Sequence, residues 1–194
     1  LLPIYARIDG RSFSRFTHYM DRPFDTRLSN AMVTTAKYLV EQTCARIGYT
    51  QSDEISLIWM QDIFNSDMFF GGKIQKMVSI LASMATVRFN HACLSHDAFV
   101  KQTLELLPVF DCRIFQLPNT TEATNCILWR EKDATKNAIS MAARHYYEHH
   151  ELHGKSCVEM QEMLWQKNIN FNDYPAFFKR GTFVLREYVE KTLT

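Results

Sequence analysis

Two short stretches of the sequence place carboxylates where strands are expected to end. Asp9 follows the apolar run "IYARI", and Asp53 and Glu54 lie in the polar turn "QSDE" between two more apolar runs. Two carboxylates held close together repel each other unless a cation lies between them. Mg²⁺ suits such oxygen ligands, since it usually binds one or two carboxylates together with substrate phosphates. The residue types therefore predict a magnesium-dependent site for phosphoryl transfer.

The residues after Asp9 fit the same chemistry. Gly10 has no side chain, so its carbonyl oxygen can turn inward as a third ligand, and two ions about 4 Å apart would support in-line transfer. Backbone amides over 11–14 can wrap a triphosphate in an anion-binding turn. Taken singly, an Asp-Gly turn or a Ser-Asp-Glu hairpin tip is more often only structural. The metal prediction therefore depends on the fold bringing the two stretches together.

The apolar periodicity predicts an α+β fold with the order β-α-β-β-α-β, then helices, then a strand. This is the split βαβ or ferredoxin-like arrangement, an antiparallel sheet with two helices on one face and the other face open. The expected strands are 2–8, two within 47–60, 109–118 and 181–189; the expected helices run from Asp25 to near Gly48, from Lys73 to about Ala92, over 121–151 and over 155–167, with a loop over 61–72. We expect a single domain over 1–194, with a core over about 1–118 and a helical elaboration with the last strand over about 119–194.

This topology relates the two acidic stretches. In a split βαβ sheet the first and third strands are central neighbours, and the hairpin before the third strand lies beside the end of the first. Asp9 and Asp53 are therefore expected to face each other at one edge of the sheet.

Composition narrows the class of protein. The formal net charge of +1 gives no overall attraction to nucleic acid or membrane, so such binding requires a local patch. The five scattered cysteines favour reduced thiols in a reducing compartment over a zinc site or disulfides. No apolar run approaches the roughly 18 residues of a membrane span, and we recognise no signal peptide. We expect a cytoplasmic protein, or a mitochondrial one if a targeting segment was trimmed from the sequence before Leu1.

The motifs resemble one known family. The blocks "RIDGRSFSRF" and "YTQSDEISL" are similar to the tRNA-His guanylyltransferase family. So are "RPFD", which lies between them, and the later blocks "KIQKMVSILAS", "FDCRIF", "WREKDATKNA" and "NFNDYPAFFKRGT". Its members add nucleotides to RNA 5′ ends in the 3′–5′ direction. The resemblance covers nearly the whole chain and implies a catalytic domain like the palm of ordinary polymerases, in agreement with the predicted order of elements.

The resemblance also implies roles for matching residues. It implies a site for two Mg²⁺ ions at Asp9, the Gly10 carbonyl and Asp53, with Glu54 as a further catalytic residue. The implied nucleotide-binding residues are Asp9, Gly10, Arg11, Ser12, Phe13, Ser14, Ser52, Asp53, Lys73 and Lys76. Many relatives carry a histidine where this chain has Ser14, which leaves the role of that position open.

One departure from the family pattern is informative. The tRNA-His guanylyltransferases proper carry the signature HINNLYN after the "WR" block, whereas this chain has "TKNAISM" at 135–141. That difference is typical of the guanylyltransferase-like branch, which repairs truncated tRNA 5′ ends by template-dependent addition. The resemblance then implies activation of a 5′-monophosphate by ATP, attack by the 3′-OH of an incoming NTP such as GTP, and release of AMP.

RNA contacts are expected where aromatic and basic residues alternate, in "WREKDATK" and "FFKRGT". The candidates are Arg130, Lys136, Asn137, Lys179 and Arg180, although a merely solvated surface explains these residues equally well. The resemblance implies a homotetramer in which one tRNA bridges subunits. The spacing of His145, His149 and His153 allows a zinc site on a helix, but a solvated helix face is the favoured interpretation.

Four functions remain open from the sequence. A template-dependent 3′–5′ RNA polymerase is favoured, ahead of a tRNA-His guanylyltransferase proper. A nucleotide cyclase would share the palm and its paired aspartates, but it lacks support from the later motifs. A catalytically silent RNA-binding module would not need two facing carboxylates.

Overall fold

The computed structural model describes residues 2–60 and 68–187 of the chain. One antiparallel sheet has the order β4-β1-β3-β2-β5. Its strands are β1 (Ile4–Gly10), β2 (Ile47–Gln51), β3 (Glu54–Trp59), β4 (Phe110–Gln116) and β5 (Thr182–Leu185). The central pair β1–β3 and the flanking β4 and β2 reproduce the predicted split βαβ topology, so the α+β fold class is confirmed.

Eight helices are described with this sheet. They are α1 (Phe13–Phe16), α2 (Thr26–Thr43), α3 (Ile74–Leu94), α4 (Asp97–Leu106), α5 (Thr120–Tyr146), α6 (His149–Leu152), α7 (Cys157–Gln166) and α8 (Ala176–Arg180). Asp25 caps α2 as expected, since its side chain accepts a hydrogen bond from the Arg27 amide. The expected loop over 61–72 is described only from Met68 and includes a 3₁₀ turn, Phe69–Gly72; residues 61–67 lie outside the described part.

Three parts of the chain differ most from the sequence-based expectations. Helix α2 ends at Thr43, with Cys44 at φ 56°, and Gly48 belongs to β2. Helix α4 was not predicted. The predicted helix over 121–151 is interrupted after Tyr146, because Tyr147 and Glu148 are extended. His145 and His149 therefore do not share one helical face.

One face of the sheet packs on α2 and α3. Alternate residues of the central strands, among them Ala6, Ile8 and Leu57, point to this face and are completely buried. Met77, Leu81, Ala85 and Phe89 of α3 pack into the same core. This is the larger core of the protein and holds the sheet rigid beneath the acidic turn.

The other face of the sheet was expected to be open, and this expectation is wrong for half of it. Helix α5 covers Tyr5, Tyr49 and Ile58 with its own Ala123, Ile127 and Ala134. The reason is that these strand positions are apolar and need cover. Beyond them the same face becomes charged, and α5 reaches it only through Arg130.

A third apolar cluster joins the C-terminal helices. Ile139 and Ala142 of α5 pack with Leu164, Phe171 and Phe178. Helix α8 then leads directly into β5, which pairs with β2, so the C-terminal part of the chain completes the sheet. None of the helices in the described ranges is long and apolar enough to cross a bilayer.

Candidate active site

The two acidic stretches meet at one end of the central strands. Asp9 lies opposite Glu54 in the β1–β3 ladder, and the Gly10 amide donates to the Asp53 carbonyl at 3.0 Å. Only Ser52 and Asp53 separate β2 from β3, and Ser52 adopts the left-handed conformation with φ 53° that such a tight turn requires. Ser52 is exposed, whereas Asp53 is partly buried. The predicted proximity of Asp9 and Asp53 is therefore found in the structure.

The electrostatics of this turn fit a cation site. Burial raises the pKa of Asp53, and the negative charge of Asp9 raises it further. Loss of hydration and the neighbouring carboxylate both disfavour the negative charge of Asp53, and a bound cation would offset both effects. No cluster of three His, Cys, Asp or Glu side chains in the described ranges is arranged to hold a metal. Asp9 and Asp53, with the Gly10 carbonyl, would therefore need substrate phosphates to complete the shell of Mg²⁺.

Gly10 is required by packing. A Cβ added at this position would lie 2.4 Å from the Phe13 ring. Phe13 is buried against Phe89 and Phe110, with ring centroids 5.3 and 5.0 Å away. The Phe13 side chain thus anchors the loop in the core, so any contact of this residue with a nucleotide must use its backbone.

Glu54 was predicted to be a further catalytic residue and Arg130 to contact RNA, but in the structure the two side chains bind each other. Arg130 donates to both carboxylate oxygens of Glu54 at 2.7 Å, and only 12% and 18% of the Glu54 and Arg130 side chains are exposed. Burial lowers the pKa of Arg130, but the hydrogen bonds to Glu54 outweigh this and raise it. Arg7 lies 3.7 Å from Glu54 and 3.9 Å from Asp9. Glu54 therefore fixes α5 and Arg130 beside the site.

The predicted phosphate-binding loop is open to solvent. Arg11, Ser12 and Ser14 are exposed, and Ser12 has φ 56°. The Arg11 amide donates to the Val109 carbonyl at 2.9 Å, which ties the start of the loop to the residue before β4. The loop is thus fixed at one end while its polar side chains remain available.

Lys73 and Lys76 lie at the far end of the sheet. They begin α3, directly after Gly72, where an added Cβ would be 3.5 Å from Cδ1 of Ile4. Ile4 starts β1 and Asp9 nearly ends it, five residues further on, or roughly 17 Å at about 3.3 Å per residue. Within one chain the two lysines therefore do not share a site with Asp9.

Four of the predicted RNA-binding residues lie at the junction of α5 and α8. Thr135 of α5 donates to the Lys179 carbonyl at 3.0 Å, and Lys136 and Asn137 follow it on exposed positions. The Arg180 carbonyl accepts from the Tyr49 hydroxyl at 2.9 Å, which places this junction beside β2 and its turn. Unlike these residues, Arg130 faces the sheet.

A pocket beside the acidic turn was missed by the sequence reasoning. Its cavity measures about 70 Å³ and reaches from Ser52 to an apolar wall of Phe24, Met32, Met141 and Phe178. Phe24 belongs to the quoted block "RPFD", so the motif itself was the available signal. The sequence pattern could not show that Phe24 lines the same pocket as Met141, which lies more than one hundred residues later.

Asp25 of the same block is a structural residue of this pocket. Its carboxylate is buried and accepts hydrogen bonds from the Arg27 side chain at 2.5 and 3.0 Å. Burial alone would raise the pKa of Asp25, but these bonds outweigh it and lower the pKa. Because its oxygens are engaged, Asp25 shapes the pocket wall and caps α2.

Comparisons with known proteins agree with this geometry. The tRNA-His guanylyltransferase family model matches residues 2–118. The curated tRNA(His) guanylyltransferase of Schizosaccharomyces pombe is 29% identical over 98% of this chain and 77% of its own length. A bacterial tRNA(His) guanylyltransferase-like protein in complex with ATP superposes with a TM-score of 0.88 at 38% identity, over 96% of this chain and 80% of that one. A bacterial protein of the same description in complex with GTP gives a TM-score of 0.79 at 35% identity, over 98% and 78%. The chain therefore belongs to the tRNA-His guanylyltransferase family of nucleotidyltransferases.

Proposed function

We propose that this enzyme adds nucleotides to the 5′ end of RNA in the 3′–5′ direction by copying the opposite strand, and that it repairs 5′-truncated tRNA. The observation that carries the proposal is the meeting of Asp9 and Asp53 at adjacent strand ends, next to an exposed polar loop and an apolar pocket. Such a site can hold phosphates and a base at once. Nucleotidyl transfer by positioning and charge neutralisation does not require a covalent nucleophile of the protein.

The reaction has two phosphoryl transfers. First, an oxygen of the RNA 5′-monophosphate attacks the α-phosphorus of ATP, and pyrophosphate leaves. Next, the 3′-OH of an incoming NTP loses its proton and attacks the 5′-phosphorus of the RNA, and AMP leaves. The incoming nucleotide brings a 5′-triphosphate, which is trimmed or serves as the activated end for the next addition.

The position of each residue at the site suggests its role in the reaction. Asp9, Asp53 and the Gly10 carbonyl would hold two Mg²⁺ ions, which supply neutralisation of phosphate charge and activation of the attacking hydroxyl. The exposed loop with Arg11, Ser12 and Ser14 binds the triphosphate, with Ser52 on the opposite side. The apolar pocket beside Ser52 receives the base. Glu54 orients Arg130 rather than transferring a proton, because both of its oxygens are occupied.

The lining of the pocket supports the template-dependent branch. The segment 135–141 replaces the family signature HINNLYN, and its last position, Met141, lines the pocket. A methionine thioether packs on any base but cannot distinguish base edges by hydrogen bonds. Met141 therefore adds no base selection of its own, which fits a choice made by pairing with the opposite RNA strand, as repair requires.

A tetramer is also proposed. Lys73 and Lys76 are exposed at the end of the sheet opposite Asp9, so they can serve phosphates only in a site shared with another protomer or with a bridging RNA. A tetramer would also let a chain of net charge +1 assemble a basic groove for tRNA. Light scattering with and without tRNA measures this assembly.

The decisive experiment varies the template. The protein is incubated with Mg²⁺, ATP and each labelled NTP on four tRNAs that lack the first 5′ nucleotide and differ in the opposite base. Under our proposal the nucleotide added follows the opposite base in all four. Addition of guanosine whatever the opposite base would instead indicate a tRNA-His guanylyltransferase proper. Cyclic product from NTP alone would indicate a cyclase, and RNA binding without turnover a silent module.

A further inference from the structure

A groove between α1 and α4 lies outside the residues assigned above. It measures about 660 Å³ and is lined by Arg15, His18, Tyr19, Lys101, Gln102 and Glu105. Helix α4 is docked on α1, since the Gln102 amide donates to the Phe16 carbonyl and the Phe99 ring lies 6.3 Å from that of Phe16. The two walls of the groove are therefore fixed relative to each other.

An aromatic platform lies at the mouth of the groove. Tyr19 is 86% exposed, and its ring contacts the edge of His18 with centroids 4.7 Å apart. An exposed tyrosine with a free ring face contributes little to the core, but offers a stacking surface for a base. Bases stack on such rings whatever their identity.

The charges around this platform are mainly positive. Arg15 and Lys101 lie on opposite walls, and Arg22 donates to the Thr17 carbonyl at 3.1 Å, at the end of α1. The acidic lining residue, Glu105, lies 3.9 Å from Lys101, and both side chains are mostly exposed. That pair is weak in water and can be exchanged for a phosphate contact.

The groove is lined in part by residues that directly follow the predicted phosphate-binding loop in the sequence. Arg15 follows Ser14, and Gly10 lies five residues earlier at the metal turn. We propose that this groove binds unpaired nucleotides of the RNA substrate next to the reacting 5′ end, with a base on Tyr19 and phosphates at Arg15 and Lys101. The inference rests on the proposed function only in taking RNA as the substrate.

The test measures binding separately from catalysis. Affinity for a tRNA lacking its first 5′ nucleotide is determined for Tyr19→Ala, Tyr19→Phe, Arg15→Ala and Lys101→Ala over a range of salt. We expect Tyr19→Ala to weaken binding about tenfold or more without changing the salt dependence, whereas Tyr19→Phe keeps the affinity. Arg15→Ala and Lys101→Ala should each reduce the slope of log affinity against log salt by about 0.7.

Two controls define the outcome. Trp165→Ala removes an exposed aromatic of α7 and should leave RNA affinity unchanged, and a fully paired duplex should be bound equally by wild type and Tyr19→Ala. The inference would be overturned if Tyr19→Ala bound the tRNA with wild-type affinity. It would also be overturned if Tyr19→Ala changed the oligomeric mass, because the groove would then be a protein interface. If these variants lose tRNA binding but wild type adds no nucleotide, the groove stands and the proposed function fails. If wild type extends the tRNA and Tyr19→Ala binds it normally, the proposed function stands and the inference about the groove fails.

Discussion

The two faces of the sheet are built from alternate residues of the same strands but differ in what they do. In β1, Ala6 and Ile8 point to the face under α2 and α3 and are fully buried, whereas Arg7 and Asp9 point to the opposite face and are partly exposed. The second face begins apolar at Tyr5, beneath α5, and becomes charged toward the acidic turn. The proposed site thus lies where the apolar cover of one face ends, on strands whose other face is packed in the larger core.

The comparison implies that the two faces can be damaged separately. Substitutions at the charged end of the face that carries Asp9 should remove activity and leave the fold intact. Substitutions on the covered face should lower the free energy of unfolding before they affect chemistry. The predictions below test this separation.

The largest effect is expected for Asp53→Asn. Nucleotide addition should fall about 10³-fold, because preorganised charge at the reacting phosphates is lost. Without Mg²⁺, the variant should be more stable than wild type at pH 7. The folded-state pKa of Asp53 is raised, so the folded state binds more protons between the ordinary and the raised pKa, and stability falls as pH rises through that window. Urea unfolding from pH 4 to 8 measures the difference.

Asp173→Asn is the control for that variant. Asp173 is an exposed aspartate of the 3₁₀ turn Phe171–Asp173, in the C-terminal part of the chain. It should retain wild-type addition and a pH dependence of stability like that of wild type. If Asp53→Asn added nucleotides at more than half the wild-type rate, the assignment of Asp53 as a metal ligand would be contradicted.

Leu57→Ala tests the covered face. Leu57 is fully buried in the larger core, so the substitution should destabilise the protein by about 2–5 kcal/mol through lost burial and a cavity. Its neighbour Ser56 points to the other face and bonds the Tyr5 hydroxyl at 2.7 Å. Ser56→Ala should cost only about 1 kcal/mol. Equal losses in denaturant unfolding would argue against the difference between the faces.

An effect somewhat smaller than that of Leu57→Ala is expected at the link between α5 and the sheet. Arg130→Met leaves the Glu54 carboxylate without its bidentate partner in a mostly buried position, and should cost about 2–4 kcal/mol. The double variant Glu54→Gln with Arg130→Met removes both charges and should recover a large part of that loss. Thermal or urea unfolding of wild type, the two single variants and the double variant gives the coupling energy. A double variant no more stable than Arg130→Met would mean that packing, not charge, dominates there.

The sequence was sufficient for the local elements that carry the acidic residues. Alternation in "IYARIDG" and "GYTQSDEISLIW" predicted three of the strands, and Asp25 predicted the start of α2. Helix α4 was missed, and the break after Tyr146 was missed because helix-forming residues continue on both sides of it. Boundaries of this kind depend on tertiary packing more than on local propensity.

What the sequence by itself determined was the meeting of Asp9 and Asp53, because strand alternation and the short β2–β3 hairpin leave few ways to arrange the central strands. The pairing of Glu54 with Arg130, seventy-six positions apart, was decided only by the tertiary structure. So were the distance of Lys73 from the acidic turn and the pocket shared by Phe24 and Met141. These three features depend on how the helices pack on the sheet. Local periodicity indicates which face of a helix is buried, but not which residues that face contacts.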